Sequence, residues 1–261
     1  MNKTEIVEIS TRVLERLSGM GDELSNNLSC EKMIFPQKEN EDKNTHVKKK
    51  ERRISEQELR FVFVDEFLKR CKEAYYYSVE TPTVDKYSFG NQFCDIRVDK
   101  LEGQSALSDM MIYKREDGEY KRNLNIEFKY ANVELSHIAK DILKLIHEPQ
   151  NGAFIHLLKN TNSGTLCNSG ETGVLDKIRK SFERCNKIVS PKCKPTDPKI
   201  NTQWECKKEK QITIVIMSLE QKALIYQTIN KGDTISCKGD YENILEINDS
   251  KWNRVNLKTK P

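Results

Sequence analysis

Two alternating segments separated by a tight-turn dipeptide constrain the fold of this chain more than any other feature of its sequence. Strands are predicted at about 109 to 115 and at about 123 to 130, where polar and apolar residues alternate. Asp117-Gly118 lies between them, and this dipeptide is typical of the turn of a β-hairpin. The two segments are therefore predicted to be adjacent antiparallel strands.

The length of the hairpin loop decides which side chains of the two strands share a face. A two-residue loop would pair Glu116 with Glu119 and would turn Asp109 away from Glu127. A three-residue loop, with Gly118 in the left-handed conformation, would make Asp109 and Glu127 diagonal neighbours on one face. The same register would gather five apolar residues on the other face: Met110, Ile112, Leu124, Ile126 and Phe128. Because the polar and apolar patterns agree, we predict the three-residue loop.

The elements predicted around the hairpin indicate an α/β domain. Ser55 and Glu58 have the spacing of a capping box, and they precede a helix from Leu59 to about Cys71. A further strand is predicted at about 93 to 99. After the hairpin come a helix, a strand, a helix and two more strands, at 135 to 146, 153 to 158, within 171 to 188, at 212 to 217 and at 223 to 226. This order is typical of a three-layer sandwich in which helices flank a mixed central β-sheet.

Residues 1 to 53 are predicted to form an extension to the main domain at 54 to 261. The segment from Thr4 to Leu17 has the spacing of an amphipathic helix, with an apolar stripe of Ile6, Ile9, Val13, Leu14 and Leu17. A single short helix cannot bury such a stripe on itself, so it must pack on the main domain, on a second copy of the chain or on another protein. Of these we hypothesise contact with a protein partner or with a second copy in a homodimer. Residues 36 to 53 are nearly all charged or amide residues, which predicts a flexible linker that packs against nothing.

The charge of the chain permits a nucleic-acid partner without requiring one. The formal net charge is +4, and the run Lys48-Lys49-Lys50-Glu51-Arg52-Arg53 either contacts phosphates or is a solvated part of the linker. No apolar stretch reaches the length of a membrane span, and acids occur near the N-terminus where a signal peptide would have an apolar core. We therefore expect a soluble cytoplasmic protein that does not bind membranes.

The spacing of cysteines and histidines argues against several classes of site. The eight cysteines include no CxxC pair, so we expect free thiols, and Cys185, Cys193 and Cys206 are the one arrangement that could hold zinc. The four histidines have no HxH or HExxH spacing, which argues against a zinc hydrolase or a histidine-based nuclease. The sequence also has no GxxxxGK[ST] phosphate-binding loop, so an ATP-driven activity is not expected.

Asp109, Glu127 and Lys129 combine two carboxylates with a lysine, and these residue types are suited to metal-dependent phosphodiester hydrolysis. The reaction brings a nucleophilic water against an anionic phosphorus, so its site binds a hard cation, and two carboxylates are suitable ligands. A lysine can orient the water and stabilise the charge that develops on the phosphate. The alternative is structural: Asp109 caps a strand, and Glu127 and Lys129 form an exposed ion pair.

The same residues carry a family resemblance. Ser108-Asp109 on one strand and Glu127-Phe128-Lys129 on the next resemble the D...(E)xK signature of the PD-(D/E)xK, or restriction-endonuclease-like, nuclease superfamily. Ser108 stands where the family name has a proline. The resemblance covers roughly residues 54 to 160, where a capped helix, a hairpin, a helix and a strand follow in the order of the family core.

This resemblance implies a Mg²⁺-dependent nuclease, with Mn²⁺ as a substitute ion, on a restriction-endonuclease-like core. DNA is the commoner substrate in the family, and a role in defence or restriction follows by the same analogy. One or two ions would be held by Asp109 and Glu127, with Lys129 as the third catalytic residue. Glu58 on the first helix would be a further metal-directed carboxylate, although the capping box explains it equally well. One alternative is a catalytically silent module that uses the same fold to bind nucleic acid or protein. The other is an unrelated α/β scaffold protein, which the absence of a cleft around Asp109 and Glu127 would favour.

Two further groups of polar residues are weaker candidates. Glu80, within Val-Glu-Thr-Pro, either reaches the same cleft or is an ordinary turn carboxylate. His137, Asp141 and Lys144 share a stripe opposite the apolar face of their helix, and we interpret this stripe as solvated.

Overall fold

A mixed β-sheet of eight strands organises the fold. The computed structural model describes residues 1–19, 35, 37–41, 48–52, 54–71, 75–90, 95–159, 161, 163–166, 168–186, 210–230, 232–233, 235, 243–247 and 251–257. The helices are α1 (Lys3–Gly19), α2 (Glu56–Arg70), α3 (Leu135–His147), α4 (Ser163–Leu166) and α5 (Val174–Asn186), with a short 3-10 helix at Ile244–Glu246. The strands are β1 (Gln37–Glu41), β2 (Lys48–Arg52), β3 (Tyr75–Phe89), β4 (Ile96–Val98), β5 (Gln104–Glu116), β6 (Glu119–Tyr130), β7 (Asn151–Leu158), β8 (Gln211–Ser218), β9 (Ala223–Asn230) and β10 (Asn253–Asn256).

The order of the strands in the sheet is β10-β9-β8-β7-β6-β5-β3-β4. The neighbours β6, β7 and β8 run parallel, and the other neighbouring pairs are antiparallel. Helix α3 makes the crossover that parallel pairing of β6 and β7 requires. β7 and β8 are almost entirely buried, which explains their continuous apolar sequences.

Helices cover both faces of this sheet. Helices α1 and α2 pack on one face in a core that includes Phe63, Phe67 and Phe128. Helices α3 and α5 pack on the other face in a core that includes Ile142 and Phe154. The predicted α/β class and mixed sheet are confirmed, and the arrangement is that of three layers. The predicted capping box is also present, since Glu58 Oε2 accepts a hydrogen bond from Ser55 N at 2.7 Å.

The loop of the β5–β6 hairpin is one residue shorter than predicted. Glu116 pairs with Glu119, so the loop contains two residues, Asp117 and Gly118, both with positive φ (53° and 85°). The prediction of a three-residue loop was therefore wrong. The register nevertheless shifts further along the hairpin, because Tyr113 pairs with Arg122 whereas Ile112 pairs with Leu124.

Asn123 is the extra residue in this β-bulge. Beyond it Met110 faces Ile126, and the predicted apolar set is buried together in the α1/α2 core: Met110, Ile112, Leu124, Ile126 and Phe128. The bulge therefore puts Asp109 and Glu127 on one face of the sheet, as the three-residue loop was predicted to do.

Helix α1 belongs to the main domain. Its apolar residues Ile6, Ile9, Val13, Leu14 and Leu17 are buried in the same core as α2 and contact β8 and β9. Arg16 of α1 also forms ion pairs with Asp65 and Glu66 of α2. The expected contact with a partner or a second copy through this stripe was wrong, because the stripe is covered by the chain's own sheet.

The predicted flexible linker contains regular structure. β1 and β2 pair with each other as an antiparallel ribbon and are not hydrogen-bonded to the eight-stranded sheet. Their register pairs Glu39 with Lys50 and Glu41 with Lys48. The flexible linker was predicted from low apolar content alone, and that criterion does not detect strand pairing.

Two other sequence expectations concern parts of the chain that the structure describes only partly. Cys71 is a free thiol, whereas a zinc site formed by Cys185, Cys193 and Cys206 lies outside the described side chains. None of the described helices is both long enough and apolar enough to cross a membrane.

The packing of α1 predicts the effect of a core substitution. Leu14 is fully buried, so Leu14→Ala is expected to lower the free energy of unfolding by about 2–5 kcal/mol in urea denaturation. Arg12→Ala is the matched control, because Arg12 makes only an exposed ion pair with Glu15 and its loss should cost less than about 1 kcal/mol. Equal stability of Leu14→Ala and the wild type would mean that α1 does not pack on the sheet.

Candidate active site

Asp109 and Glu127 lie where β5 and β6 stop pairing. Met110 and Ile126 are the last paired residues of the two strands at this end, and Asp109 and Glu127 follow them directly. Beyond the last pair, the side chain of Asp109 binds the backbone of β6, because the N–H of Phe128 donates to Asp109 Oδ2 at 2.8 Å. This hydrogen bond fixes Asp109 against β6, beside Glu127.

Glu127 is fully buried beneath α3. Lys144 Nζ donates to Glu127 Oε2 at 2.6 Å, whereas the buried Oε1 has no hydrogen-bond partner among the residues that the structure describes. Burial raises the pKa of Glu127 well above its ordinary value, although the Lys144 ammonium opposes the shift. The negative charge of Asp109 also contributes to the raised pKa, which is the electrostatic sign that the two acids are close.

Lys129 is held by an acid of α3. Its Nζ lies 2.6 Å from Asp141 Oδ2 and 3.6 Å from Glu56 Oε2, and it donates to the carbonyl of Phe128 at 3.0 Å. Burial would lower the pKa of Lys129, but Asp141, Glu56 and Asp109 together raise it above its ordinary value. Lys129 is therefore a partly buried ammonium beside the carboxylates, and it is charged at neutral pH.

The first long helix, α2, contributes Arg60 and Glu56. Arg60 lies 2.8 Å from Asp109 Oδ1 and 3.4 Å from Glu56 Oε1. The predicted helix acid, Glu58, has its carboxylate in the capping box. The α2 acid that joins the charged cluster is instead Glu56, and the other members of this cluster are Arg60, Asp109, Glu127, Lys129, Asp141 and Lys144. Glu80, an exposed residue with a φ of 49° in β3, lies 3.9 Å from Arg60 at the rim.

Two residues of α3 that were interpreted as solvated are buried in the site. Asp141 and Lys144 are 5% and 6% exposed, and Asp141 lies 3.1 Å from Lys144 while also binding Lys129. The interpretation was wrong for these two residues, whereas His137 is exposed. The missed signal was that Ala139 and Leu143 extend the apolar surface of α3 beyond one stripe, which is typical of a helix covered on several sides.

Comparison with known proteins gives no further guide to this site. Models of protein families, curated proteins and solved structures were compared with the chain, and none matches it. The chemistry of the site must therefore be argued from its own residues.

The two carboxylates are suited to a small hard cation that keeps water ligands, and not to a metal ion surrounded by protein ligands. No group of three or more histidine, cysteine, aspartate or glutamate side chains in the described residues is arranged to hold a metal ion. Mg²⁺ commonly binds through one or two carboxylates and completes its shell with water and substrate phosphate. Asp109 and the open Oε1 of Glu127 are suitable for that mode. That both acids reach one ion stays a prediction.

A neutral histidine lies beside Lys129. His156 pairs with Lys129 across β6 and β7, and its ring is fully buried with Nε2 at 2.6 Å from the carbonyl of Ala131. Burial lowers the pKa of His156 to about 4. Because this pKa is below that of an exposed histidine, about 6.5, the unfolded chain binds more protons between these values. The stabilising effect of the neutral ring is therefore complete above pH 6.5 and is lost as the pH falls toward 4.

This shift predicts how acid destabilises the protein. From pH 7 to pH 5 the wild type should lose about 2 kcal/mol of unfolding free energy more than His156→Gln, measured by urea denaturation at each pH. His137→Gln, at the exposed histidine of α3, should behave as the wild type does. Identical pH dependence in His156→Gln and the wild type would contradict the buried neutral ring.

Proposed function

We propose that this chain is a metal-dependent nuclease of the PD-(D/E)xK kind, with DNA as its expected substrate. The observation that carries the proposal is the bulge at Asn123, which brings Asp109 and Glu127 to adjacent positions although the hairpin loop alone would separate them. The order of α2, β3, β5, β6, α3 and β7, with β7 parallel to β6, supports the restriction-endonuclease-like core that the resemblance implies.

The residues of the cluster have different roles in the proposed hydrolysis. Asp109 and Glu127 would hold Mg²⁺, and the bound ion would polarise the phosphate and activate a water. Arg60 and the N–H of Phe128 orient Asp109, and Lys144 orients Glu127. Since the neighbouring acids raise the pKa of Lys129, this lysine stays protonated at neutral pH. Lys129 therefore donates hydrogen bonds and stabilises negative charge, and it does not act as a general base.

One observation favours a second candidate function. Both acids already have a protein cation as partner, Arg60 at 2.8 Å from Asp109 and Lys144 at 2.6 Å from Glu127. A closed set of ion pairs is also suited to a catalytically silent module that binds nucleic acid or protein. Metal-dependent cleavage separates the two candidates.

Incubation with nucleic acid tests the proposal. Plasmid, linear duplex DNA, single-stranded DNA and RNA are incubated with the protein in Mg²⁺, in Mn²⁺ or in EDTA. A nuclease cleaves at least one of these substrates with either ion and none in EDTA. Binding without cleavage in every condition would favour the silent module.

Lys129 separates catalysis from metal binding, because it should not coordinate the ion. Lys129→Ala is expected to lower the cleavage rate by about a hundredfold or more, the usual scale for losing one electrostatic stabiliser. Lys129→Arg should restore only part of the rate, since a planar guanidinium places its charge differently from an ammonium.

Lys121→Ala is the matched control for this prediction, because Lys121 is an exposed lysine on the same strand that binds Glu116 at the hairpin end. It should cleave at the rate of the wild type. Full cleavage by a folded Lys129→Ala would return Lys129 to a structural ion pair.

A further inference from the structure

Lys144 is fixed on three sides by oxygen atoms. Its Nζ lies 2.6 Å from Glu127 Oε2, 2.9 Å from the carbonyl of Leu107 and 3.1 Å from Asp141 Oδ1. Two of the three N–H donors of the ammonium form hydrogen bonds, to Glu127 and to Leu107, and Asp141 forms an ion pair with it. Asp141 is itself bound to Lys129 on its other oxygen, which completes a chain from Lys129 through Asp141 and Lys144 to Glu127.

Among the described residues, three of the four carboxylate oxygens of Asp109 and Glu127 have a polar partner and one does not. Asp109 Oδ1 binds Arg60, Asp109 Oδ2 accepts from the N–H of Phe128, and Glu127 Oε2 accepts from Lys144. Glu127 Oε1 is buried, and no described residue forms a hydrogen bond with it. An unpaired buried oxygen is costly, so this atom is the natural first ligand for a cation.

The charges of the cluster favour a single divalent ion. Four carboxylates face three cations: Glu56, Asp109, Glu127 and Asp141 against Arg60, Lys129 and Lys144. The excess is one negative charge, or two when the rim residue Glu80 is included. One Mg²⁺ balances the larger excess, whereas a second ion would leave the cluster with a net positive charge as long as Lys144 and Arg60 remain.

We propose that Lys144 is a positioning residue that acts as a fixed cation on the inner oxygen of Glu127, so that the site takes one divalent ion. The ion would bind Glu127 Oε1 and a second lone pair of Asp109. This inference rests on the proposed function, since it assumes that the two acids hold a metal ion. It adds that the α3 lysine occupies the space and supplies the charge that a second ion would otherwise provide.

The number of ions bound per chain tests the role of Lys144. Mn²⁺ binding is measured by titration calorimetry and by electron paramagnetic resonance of free Mn²⁺, without nucleic acid. The wild type should bind one Mn²⁺. Lys144→Gln should bind two, because the buried carboxylate loses its compensating charge and its inner oxygen becomes available. Lys144→Arg keeps the charge and should bind one. Glu127→Gln should bind none.

Folding and function are controlled separately in this experiment. Circular dichroism establishes that each variant is folded, and the wild-type count needs no variant at all. Two ions in a wild type that cleaves nucleic acid would overturn the inference and leave the nuclease proposal intact. One ion in both the wild type and folded Lys144→Gln would overturn the role of Lys144. A wild type that binds no Mn²⁺ would overturn the nuclease proposal together with this inference.

Discussion

One extra residue in β6 determines which side chains of the two central strands can act together. An unbroken ladder closed by a two-residue loop would have put Asp109 and Glu127 on opposite faces of the sheet. Asn123 interrupts the ladder, and every pair beyond it is shifted by one residue. The apolar core beneath α2 and the polar cluster beneath α3 both depend on this shift. A backbone irregularity therefore couples the packing of the domain to the arrangement of its acids.

The buried charges of the cluster depend on one another. A buried carboxylate or ammonium is strongly destabilising when its partner is missing, and a buried pair adds little to stability compared with apolar side chains of similar size. Lys144 and Asp141 each contact two oppositely charged groups or more, so the loss of either would leave charges unbalanced on both sides. Such a cluster contributes little to stability as such. It is instead a preorganised set of charges around Asp109 and Glu127, which is what the chemistry proposed for the site requires.

The sequence predicted most helices and strands because their periodicity is strong, and it predicted Asp109, Glu127 and Lys129 as site residues from their types and their positions on one hairpin. Its errors share one physical origin. Periodicity shows which face of an element is apolar, but it does not show what covers the element. The stripe of α1 was assigned to a partner for this reason, and Asp141 and Lys144 were assigned to solvent. Asn123 could not be identified at all, since nothing in its neighbourhood distinguishes a bulge from regular alternation.

The docking of α1 has a consequence for the order in which the chain can fold. This helix is near the start of the chain, yet β8 and β9, on which it packs, come near the end. Contacts between such distant segments form slowly, because a long loop must close before they can stabilise the fold. Helix α1 can pack on α2 early, but its apolar stripe is fully covered only after β8 and β9 have joined the sheet. The docking of α1 is thus a late step in folding, although the helix lies far from β8 and β9 along the chain.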